Sequence, residues 1–295
     1  MTAYIKKISG SLIKNSCGED TVHAELVTRD GKIFMGAAPT GRSVGRNEAT
    51  NQTPNEAVRM LTTDINSALI GKKLSSIDEI DSILCAIADE TNNVVGANAT
   101  LPISIAATHA IADSYGLSTW RYISTLTGIQ PTIPTPMMVM IEGGKHGSFD
   151  GVTWQEFLLN APINIGIKFL NRLKEVLKIR SIAHTNGVEG GVSIDVASNS
   201  NALTIFLSVF FEVAREYSFS VDCAATHHTL SLSDLEKLTS YTELMSIEDP
   251  ASEEEWDTWV DIMKRYGADK RIVGDDLTTT NSKRVKKAIA LHACN

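Results

Sequence analysis

The chain has 295 residues, which is long enough for one large domain or two of ordinary size, each with a full core. Its 43% hydrophobic and 21% charged residues and its mean hydropathy of −0.03 are near globular averages and argue against a disordered, fibrous or disulfide-dense protein. The formal charge of −8 would repel nucleic acid or an anionic membrane.

The cysteines and the N-terminus bear on the compartment. The four cysteines are scattered, with no C-x-x-C pair and no zinc-ligand spacing, which predicts reduced thiols in a cytoplasmic protein. The opening residues MTAYIKKISG contain no apolar leader, and no apolar run approaches the ~18 residues of a membrane span. We therefore expect neither a membrane nor a nucleic acid as partner.

The first 40 residues predict a small antiparallel sheet. The runs AYIKKISG, TVHAELVT and KIFMGAA are strand-like, with Val22, Ala24 and Leu26 alternating and an Asp30-Gly31 turn before the third run. Helices are expected after the capping boxes that begin at Thr53 and Ser76. A third helix, over 98–115, is apolar nearly all round and should be buried between layers.

A proline cluster at Pro131, Pro134 and Pro136 predicts a domain boundary. We expect an α+β domain over 1–130 and an α/β domain over 131–295. In the second domain, strand-like runs alternate with amphipathic helices over 167–179, 202–217 and 253–266, and the strand-like runs are MMVMI, EFLLNA, FSVDCAA, LMSIED and RIVGDD. Repeated βα units predict a parallel sheet or a (β/α) barrel.

Three of these strands end in an acid. Asp222, Glu248 and Asp275 are 26 and 27 residues apart, so consecutive parallel strands would bring their carboxylates together at the rim where barrel active sites lie. Clustered carboxylates repel one another unless a hard dication such as Mg²⁺ neutralises them. The alternative is that the acids only open loops and cap the next helices. Strand alternation points the second acid of each pair, Asp249 and Asp276, elsewhere, as a supporting or capping group.

Two glycine-rich stretches place titratable side chains beside these strand ends. His146 lies in GGKHG and Glu189 in GVEGG, while Glu156 begins the strand EFLLNA. We regard them as candidate proton-transfer groups, against the alternative of a satisfied structural histidine and two surface carboxylates.

A third glycine-rich stretch, Gly36 to Ser43, is one residue short of the phosphate loop G-x-x-x-x-G-K-S. That loop needs a helix directly after it and a lysine, but Arg42 stands in the lysine position and VGRNEATNQT is a poor helix start. We therefore do not expect a nucleotide-binding P-loop.

Ordered motifs along the chain resemble the enolase family, the phosphopyruvate hydratases. They are APTGRSVG, VGANATLPISIA, PTPMM with EGGKHG, QEF, GVEGG, VDCAA, MSIEDP and RIVGDDLTTTN. The resemblance implies a small N-terminal sheet-plus-helices domain followed by a (β/α) TIM-like barrel. It also implies interconversion of 2-phosphoglycerate, a small phosphorylated three-carbon acid, and phosphoenolpyruvate in glycolysis, with two Mg²⁺ ions, and a possible homodimer.

The resemblance also assigns roles to individual residues. Asp222, Glu248 and Asp275 match the metal ligands, in agreement with the strand spacing. Ser43, in a mobile substrate loop that begins at Gly41, matches a ligand of the second Mg²⁺. Glu189 and Glu156 match the carboxylates at the leaving hydroxyl, and His146 matches the histidine of a closing loop.

Several positions depart from the family pattern. Val188 replaces an Asp, Glu142 replaces an Asn, and Cys17 replaces an Arg associated with dimer contacts; the Asp222–Glu248 segment is also short. The matching part covers about the first two-thirds of the family's length, so we expect a partial barrel whose general-base lysine would lie beyond Asn295. Lys283, Lys286, Lys287 and His292 fall on an outer helix that points them away from the rim.

From the sequence we therefore expect an enolase-type lyase that is inactive as this chain alone. The alternative is a non-catalytic enolase-like protein used for binding or assembly. A third possibility, another Mg²⁺-dependent enzyme of the superfamily acting on a non-phosphorylated acid, is weakened by the Ser43 loop and by GVEGG.

Overall fold

The protein is described here by a computed structural model covering residues 3–41, 46–90, 95–228 and 230–295. The chain forms two compact units. The first comprises Met1–Gly41 and Ala49–Ile133, and the second comprises Arg42–Glu48 and Pro134–Asn295. Within the described residues, no helix is long and apolar enough to cross a membrane.

The sheet of the first unit is the predicted antiparallel meander. Its strands are β1 (Ile5–Lys14), β2 (Asp20–Thr28) and β3 (Ile33–Ala37), in that spatial order. Val22, Ala24 and Leu26 are buried on one face of β2, as their alternation predicts.

The helices of the first unit cover that buried face. They are α1 (Pro54–Met60), continued by a π-helical turn (Leu61–Ile65) and α2 (Asn66–Leu69), then α3 (Ile77–Glu90), α4 (Ala97–Ser114) and α5 (Thr119–Thr127). Thr53 accepts a hydrogen bond from the backbone N–H of Glu56, but the Glu56 carboxylate turns to Arg59 at 2.7 Å. The predicted capping box is therefore only half formed, because the neighbouring guanidinium is the stronger partner for the carboxylate.

Helix α4 runs through the centre of this unit, as predicted from its apolar surface. Eight of its residues are buried, and β3 lies so close that a Cβ on Gly36 would come within 2.1 Å of the Pro102 carbonyl oxygen. Gly36 thus serves strand–helix packing. The next helix after it in the described chain begins at Pro54.

The second unit contains a seven-stranded sheet in the order β10-β9-β8-β5-β4-β7-β6. Five of its strands were predicted: β4 (Met137–Glu142), β5 (Glu156–Asn160), β8 (Ser218–Asp222), β9 (Leu244–Glu248) and β10 (Arg271–Val273). The other two, β6 (His184–Asn186) and β7 (Val192–Ile194), form a short hairpin. With three residues each, they lack the length from which alternation can be recognised.

The sheet is mixed rather than all parallel. Strands β8, β9 and β10 are parallel to one another, but β5 is antiparallel to both of its neighbours. The physical reason is the connection between β4 and β5, which contains only a 3₁₀ turn at Gly144–His146 and no crossover helix of the kind that parallel pairing needs.

The helices of the second unit are α6 (Ile163–Ile179), α7 (Asn199–Val213), α8 (Leu232–Thr239), α9 (Trp256–Tyr266), α10 (Asp275–Thr278) and α11 (Ser282–Leu291). Helix α7 ends four residues before the predicted Tyr217, and α9 begins three residues after the predicted Glu253. Between sheet and helices the core contains a chain of ring contacts through Phe157, Phe169, Phe206, Phe210 and Phe219.

Candidate active site

A row of acids crosses four neighbouring strands of the seven-stranded sheet. In register, Glu142 of β4 is opposite Glu156 of β5, Glu156 is opposite Asp222 of β8, and Asp222 is opposite Glu248 of β9. Residues directly opposite on paired strands point to the same face. Because β5 is antiparallel, its first residue lies at the same edge as the last residues of the other three strands. The reversal of β5 therefore adds Glu156 to the predicted cluster.

Among the described residues, Asp222, Glu248 and Asp249 form an all-acid group, which we call the acid triad. One carboxylate oxygen from each lies within 4.8 Å of the others. Asp222 is buried, and its two oxygens accept hydrogen bonds from the Ala224 N–H at 2.9 Å and the Gln155 amide at 3.0 Å. Asp249 is also buried, and its Oδ1 has no hydrogen-bond partner.

Asp249 joins the triad because its backbone is left-handed, with φ of 41°. Strand alternation predicts that its side chain points away from that of Glu248, but a left-handed residue breaks the alternation. The same side chain also has the capping role expected of it, since its Oδ2 accepts the Asp276 N–H at 3.0 Å. The sequence contains no strong signal for the left-handed backbone, because only a few per cent of non-glycine residues adopt it, even though Asp is enriched among them.

Asp275, the third predicted metal ligand, is the first residue of α10. It lies outside the acid triad, yet its charge contributes, after burial, to the raised pKa of Glu248. The structure therefore brings two of the three predicted acids together and keeps the third nearby. Asp275 as a ligand stays a prediction.

Burial and mutual repulsion raise the pKa of all three carboxyl groups of the triad. Burial, followed by the charges of Glu248 and Asp249, raises the pKa of Asp222 well above its ordinary value. Burial and the nearby Asp275 raise the pKa of Glu248 to about 7, and burial raises that of Asp249 to about 8. In the described residues, no lysine or arginine forms an ion pair with any of the three. Oxygen donors alone, desolvated and uncompensated, fit a hard dication such as Mg²⁺.

A second group lies beside the triad on the same row and comprises His146, Glu156 and Glu189, which we call the histidine group. His146 Nδ1 is 3.2 Å from Glu156 Oε1 and 3.7 Å from Glu189 Oε1, distances of ion pairs whose geometry is not that of a hydrogen bond. The structure thus brings together the three residues proposed for proton transfer.

The two carboxylates of this group differ in acidity because of burial and of their interactions with His146 and with each other. Glu156 raises the pKa of His146 against the effect of burial. Burial alone would raise the pKa of Glu156, but its interactions with His146 and Glu189 outweigh burial and lower it. Burial and Glu156 raise the pKa of Glu189 to about 7. Near neutral pH, Glu156 is therefore ionised, whereas Glu189 can hold a proton and release it.

The turn that presents Glu189 is fastened by Glu142, a position noted for departing from the family pattern. Glu142 is fully buried. Its carboxylate accepts the backbone N–H groups of Val188 at 2.6 Å, Glu189 at 3.2 Å and Gly191 at 2.8 Å. A Cβ on Gly187 would lie 2.1 Å from this carboxylate, so the glycine is needed for close approach. Sequence reasoning missed this supporting role.

The described residues of the two groups do not include the remaining predicted residues. Ser43 is outside the described residues, and Gly41 is an exposed residue outside the helices and strands. Lys283, Lys286 and Lys287 lie on α11, and His292 is the residue that ends it.

Two comparisons with known proteins bear on this site. The family model described as the enolase N-terminal domain matches residues 5–123. The model described as the enolase C-terminal TIM barrel domain matches residues 130–229 and 208–295. A protein named enolase from Kineococcus radiotolerans is 32% identical to the chain over 333 aligned positions, which cover 99% of this chain and 76% of that relative.

Proposed function

Because the chain belongs to the enolase family, we propose that it is built for the Mg²⁺-dependent interconversion of 2-phosphoglycerate and phosphoenolpyruvate. The family membership makes it an enolase-type lyase with a TIM-barrel domain; the substrate and the metal are our proposal. The observation that supports them best is the row of acids, which ends in an uncompensated acid triad on one side and a proton-sharing histidine group on the other.

The acid triad supplies the residues for the metal. Asp222 and Glu248 would hold one Mg²⁺, with Asp249 or Asp275 as the third carboxylate, and Ser43 would serve a second ion. A bound dication stabilises negative charge that develops on a substrate carboxylate when the neighbouring carbon loses its proton. The protein's own contribution is a buried set of oxygens that holds the substrate's acid end and excludes water from it.

The histidine group suits departure of the hydroxyl. A carboxyl group with a pKa of about 7 can donate a proton at neutral pH, which makes Glu189 the proton donor to the leaving oxygen. Ionised Glu156, 3.2 Å from His146, keeps that proton on Glu189 and orients the imidazole. Glu142 holds the Glu189 turn rigid, because its carboxylate accepts hydrogen bonds from three backbone N–H groups.

The proton-abstracting lysine that the family resemblance implies is not identified among the described residues. Among them, no lysine forms an ion pair with the acids of the row. Since general-base catalysis commonly contributes ~10²- to 10⁴-fold, we propose that the 295-residue chain binds Mg²⁺ and has little or no dehydratase activity. A non-catalytic enolase-like role in binding or assembly is the alternative.

A pair of measurements tests the proposal. Calorimetric titration with Mg²⁺ should give a binding isotherm that the Asp222→Asn variant loses. An assay of phosphoenolpyruvate absorbance at saturating Mg²⁺ then separates the alternatives. Absence of Mg²⁺ binding contradicts the metal assignment, whereas rapid turnover that Glu189→Gln abolishes would mean that the base is present in this chain. The family membership also leads us to propose a homodimer in the cytoplasm, and sedimentation of the purified chain tests the dimer.

A further inference from the structure

A buried carboxylate outside both groups lacks a hydrogen-bond partner. The side chain of Glu253, in the turn before α9, is only 2% exposed, and neither of its oxygens accepts a hydrogen bond. An ionised carboxylate removed from water without a partner is strongly disfavoured. The structure must therefore provide Glu253 with a cation or leave it as a cost to folding.

Among the described residues, Arg46 is the cation within ion-pair distance of this carboxylate. Its Nε lies 3.8 Å from Glu253 Oε1, and its side chain is 86% exposed. That separation is an ion pair, but it is about 1 Å longer than a charge-assisted hydrogen bond. A guanidinium so exposed can close this distance by a change of rotamer, without movement of the core.

The residues next to this pair, Asn47 and Glu254, also contact each other. Asn47 donates its amide to Glu254 Oε1 at 3.1 Å, and Arg284 of α11 donates to the same oxygen at 3.0 Å. Arg284 also donates to the main-chain carbonyls of Glu253 at 2.5 Å and Leu277 at 2.6 Å. The turn at residues 253–254 is therefore held firmly from behind, and it offers a rigid receiving surface to residues 46 and 47.

We propose that Glu253 is the anchor of residues 46–48: its buried carboxylate receives the Arg46 guanidinium and holds this short segment on the second unit. Three features support the assignment. The segment belongs to the second unit although the residues before and after it in the chain belong to the first. The carboxylate has no other cation within ion-pair distance among the described residues. Glu48, next along the segment, is near enough to Asp275 to contribute to its raised pKa.

Glu253 is thus a positioning residue. It acts through Arg46 on a segment whose Glu48 is near enough to Asp275 to affect its pKa. Its importance to catalysis rests on the proposed function, in which Ser43 precedes this segment. The anchor itself can be tested without metal or substrate, so its failure is distinguishable from failure of the proposed function.

Limited trypsin digestion of the full metal-free chain tests the anchor, because trypsin cleaves after Arg46. The rate of cleavage at residue 46, divided by the rate in a synthetic peptide of the same sequence, reports how tightly the segment is held. We expect Glu253→Gln to raise this ratio about tenfold, as for loss of a hydrogen-bonded charge pair. Glu255→Gln, which alters a neighbouring acid, is the matched control and should leave the ratio unchanged.

The variant Arg46→Lys tests the other residue of the proposed contact. It keeps the charge and the cleavage site but loses the planar fork that pairs with a carboxylate, and it is too exposed to affect folding. We expect it to raise the ratio as well, and the double variant with Glu253→Gln should rise no further, since the two residues act through one contact.

The melting temperature separates anchoring from general stability. Glu253→Gln removes a buried charge whose partner Arg46 is exposed to solvent, so we expect an unchanged or higher melting temperature together with faster cleavage. Equal ratios for the wild type, Glu253→Gln and Arg46→Lys would overturn the anchor. So would additive effects in the double variant, an effect of Glu255→Gln equal to that of Glu253→Gln, or faster cleavage that only accompanies a fall in melting temperature.

Discussion

The acid triad and the histidine group lie side by side on one row of the sheet, yet the pKa values of their carboxyl groups shift differently. In the triad, burial and like charge raise the pKa of every member. In the histidine group, the interactions with His146 and Glu189 lower the pKa of Glu156 against the effect of burial, while burial and Glu156 raise the pKa of Glu189 to about 7. The pKa values of all three acids therefore rise in the triad, whereas those of the two carboxylates in the histidine group shift in opposite directions.

The largest expected effect comes from substituting a residue of the acid triad. Asp222→Asn removes one of its two buried members, and we expect Mg²⁺ affinity to fall by roughly 100-fold or more, since a lost ligand should cost at least as much as a lost supporting residue. Calorimetric titration measures this. Glu175→Gln, on the exposed face of α6, is the control that should bind as the wild type does.

The third carboxylate is identified by a matched pair of variants. We expect Asp275→Asn to lower Mg²⁺ affinity more than Asp249→Asn, because one oxygen of Asp249 already accepts the Asp276 N–H. The difference should be about tenfold. A larger loss for Asp249→Asn would instead make Asp249 the ligand and Asp275 a charged neighbour.

The metal-free chain should become less stable as pH rises. Folding raises the pKa of Glu248 to about 7 and of Asp249 to about 8, so between pH 4 and 8 the folded state binds more protons than the unfolded state. Stability is then greatest below the unfolded-state pKa values of about 4 and falls by roughly a few kcal/mol as pH approaches 8. Urea unfolding with EDTA at several pH values measures the slope.

Mg²⁺ provides the control for that pH dependence. A bound dication replaces the protons, so the loss of stability toward pH 8 should shrink when Mg²⁺ is present. A metal-free stability that stays level or increases between pH 5 and pH 8 would contradict the raised pKa values of the triad.

On the other side of the row, Glu142→Gln should loosen the turn that presents Glu189. The glutamine amide can accept fewer hydrogen bonds from the three backbone N–H groups, and its own NH₂ group would face those donors. We therefore expect a loss of about 1–3 kcal/mol in the free energy of unfolding. Chemical denaturation measures it. Glu212→Gln, which breaks only the exposed contact with Arg172, should cost far less, and an equal cost would argue against the clamp.

The smallest expected effect tests the proton sharing itself. Glu156→Gln removes the anion that raises the pKa of both His146 and Glu189, so both values should fall, by about one unit. Titration of the His146 ring and the Glu189 carboxyl by NMR measures the two shifts. Unchanged values would mean that burial alone sets the acidity of this group.

The sequence was informative where a pattern is repeated over many residues. The alternation of Val22, Ala24 and Leu26 predicted β2, and the apolar surface of α4 predicted a buried helix. The regular spacing of Asp222, Glu248 and Asp275 predicted that their strands are parallel neighbours, and they are. It was less informative for β6 and β7, whose three residues are too few for a period, and for the direction of β5, which depends on a connection rather than on the strand itself.

At the level of the site, the sequence by itself determined which residue types stand at the strand ends and that glycine-rich turns lie beside them. Only the tertiary structure decided which of them meet. A left-handed backbone brings Asp249 into the triad, an antiparallel strand adds Glu156 to the row, and Glu142 fastens the Glu189 turn. The physical reason is that residue type and spacing are local properties of the chain, whereas the direction of a side chain and the pKa of its carboxyl depend on the register, burial and charge of groups distant in sequence.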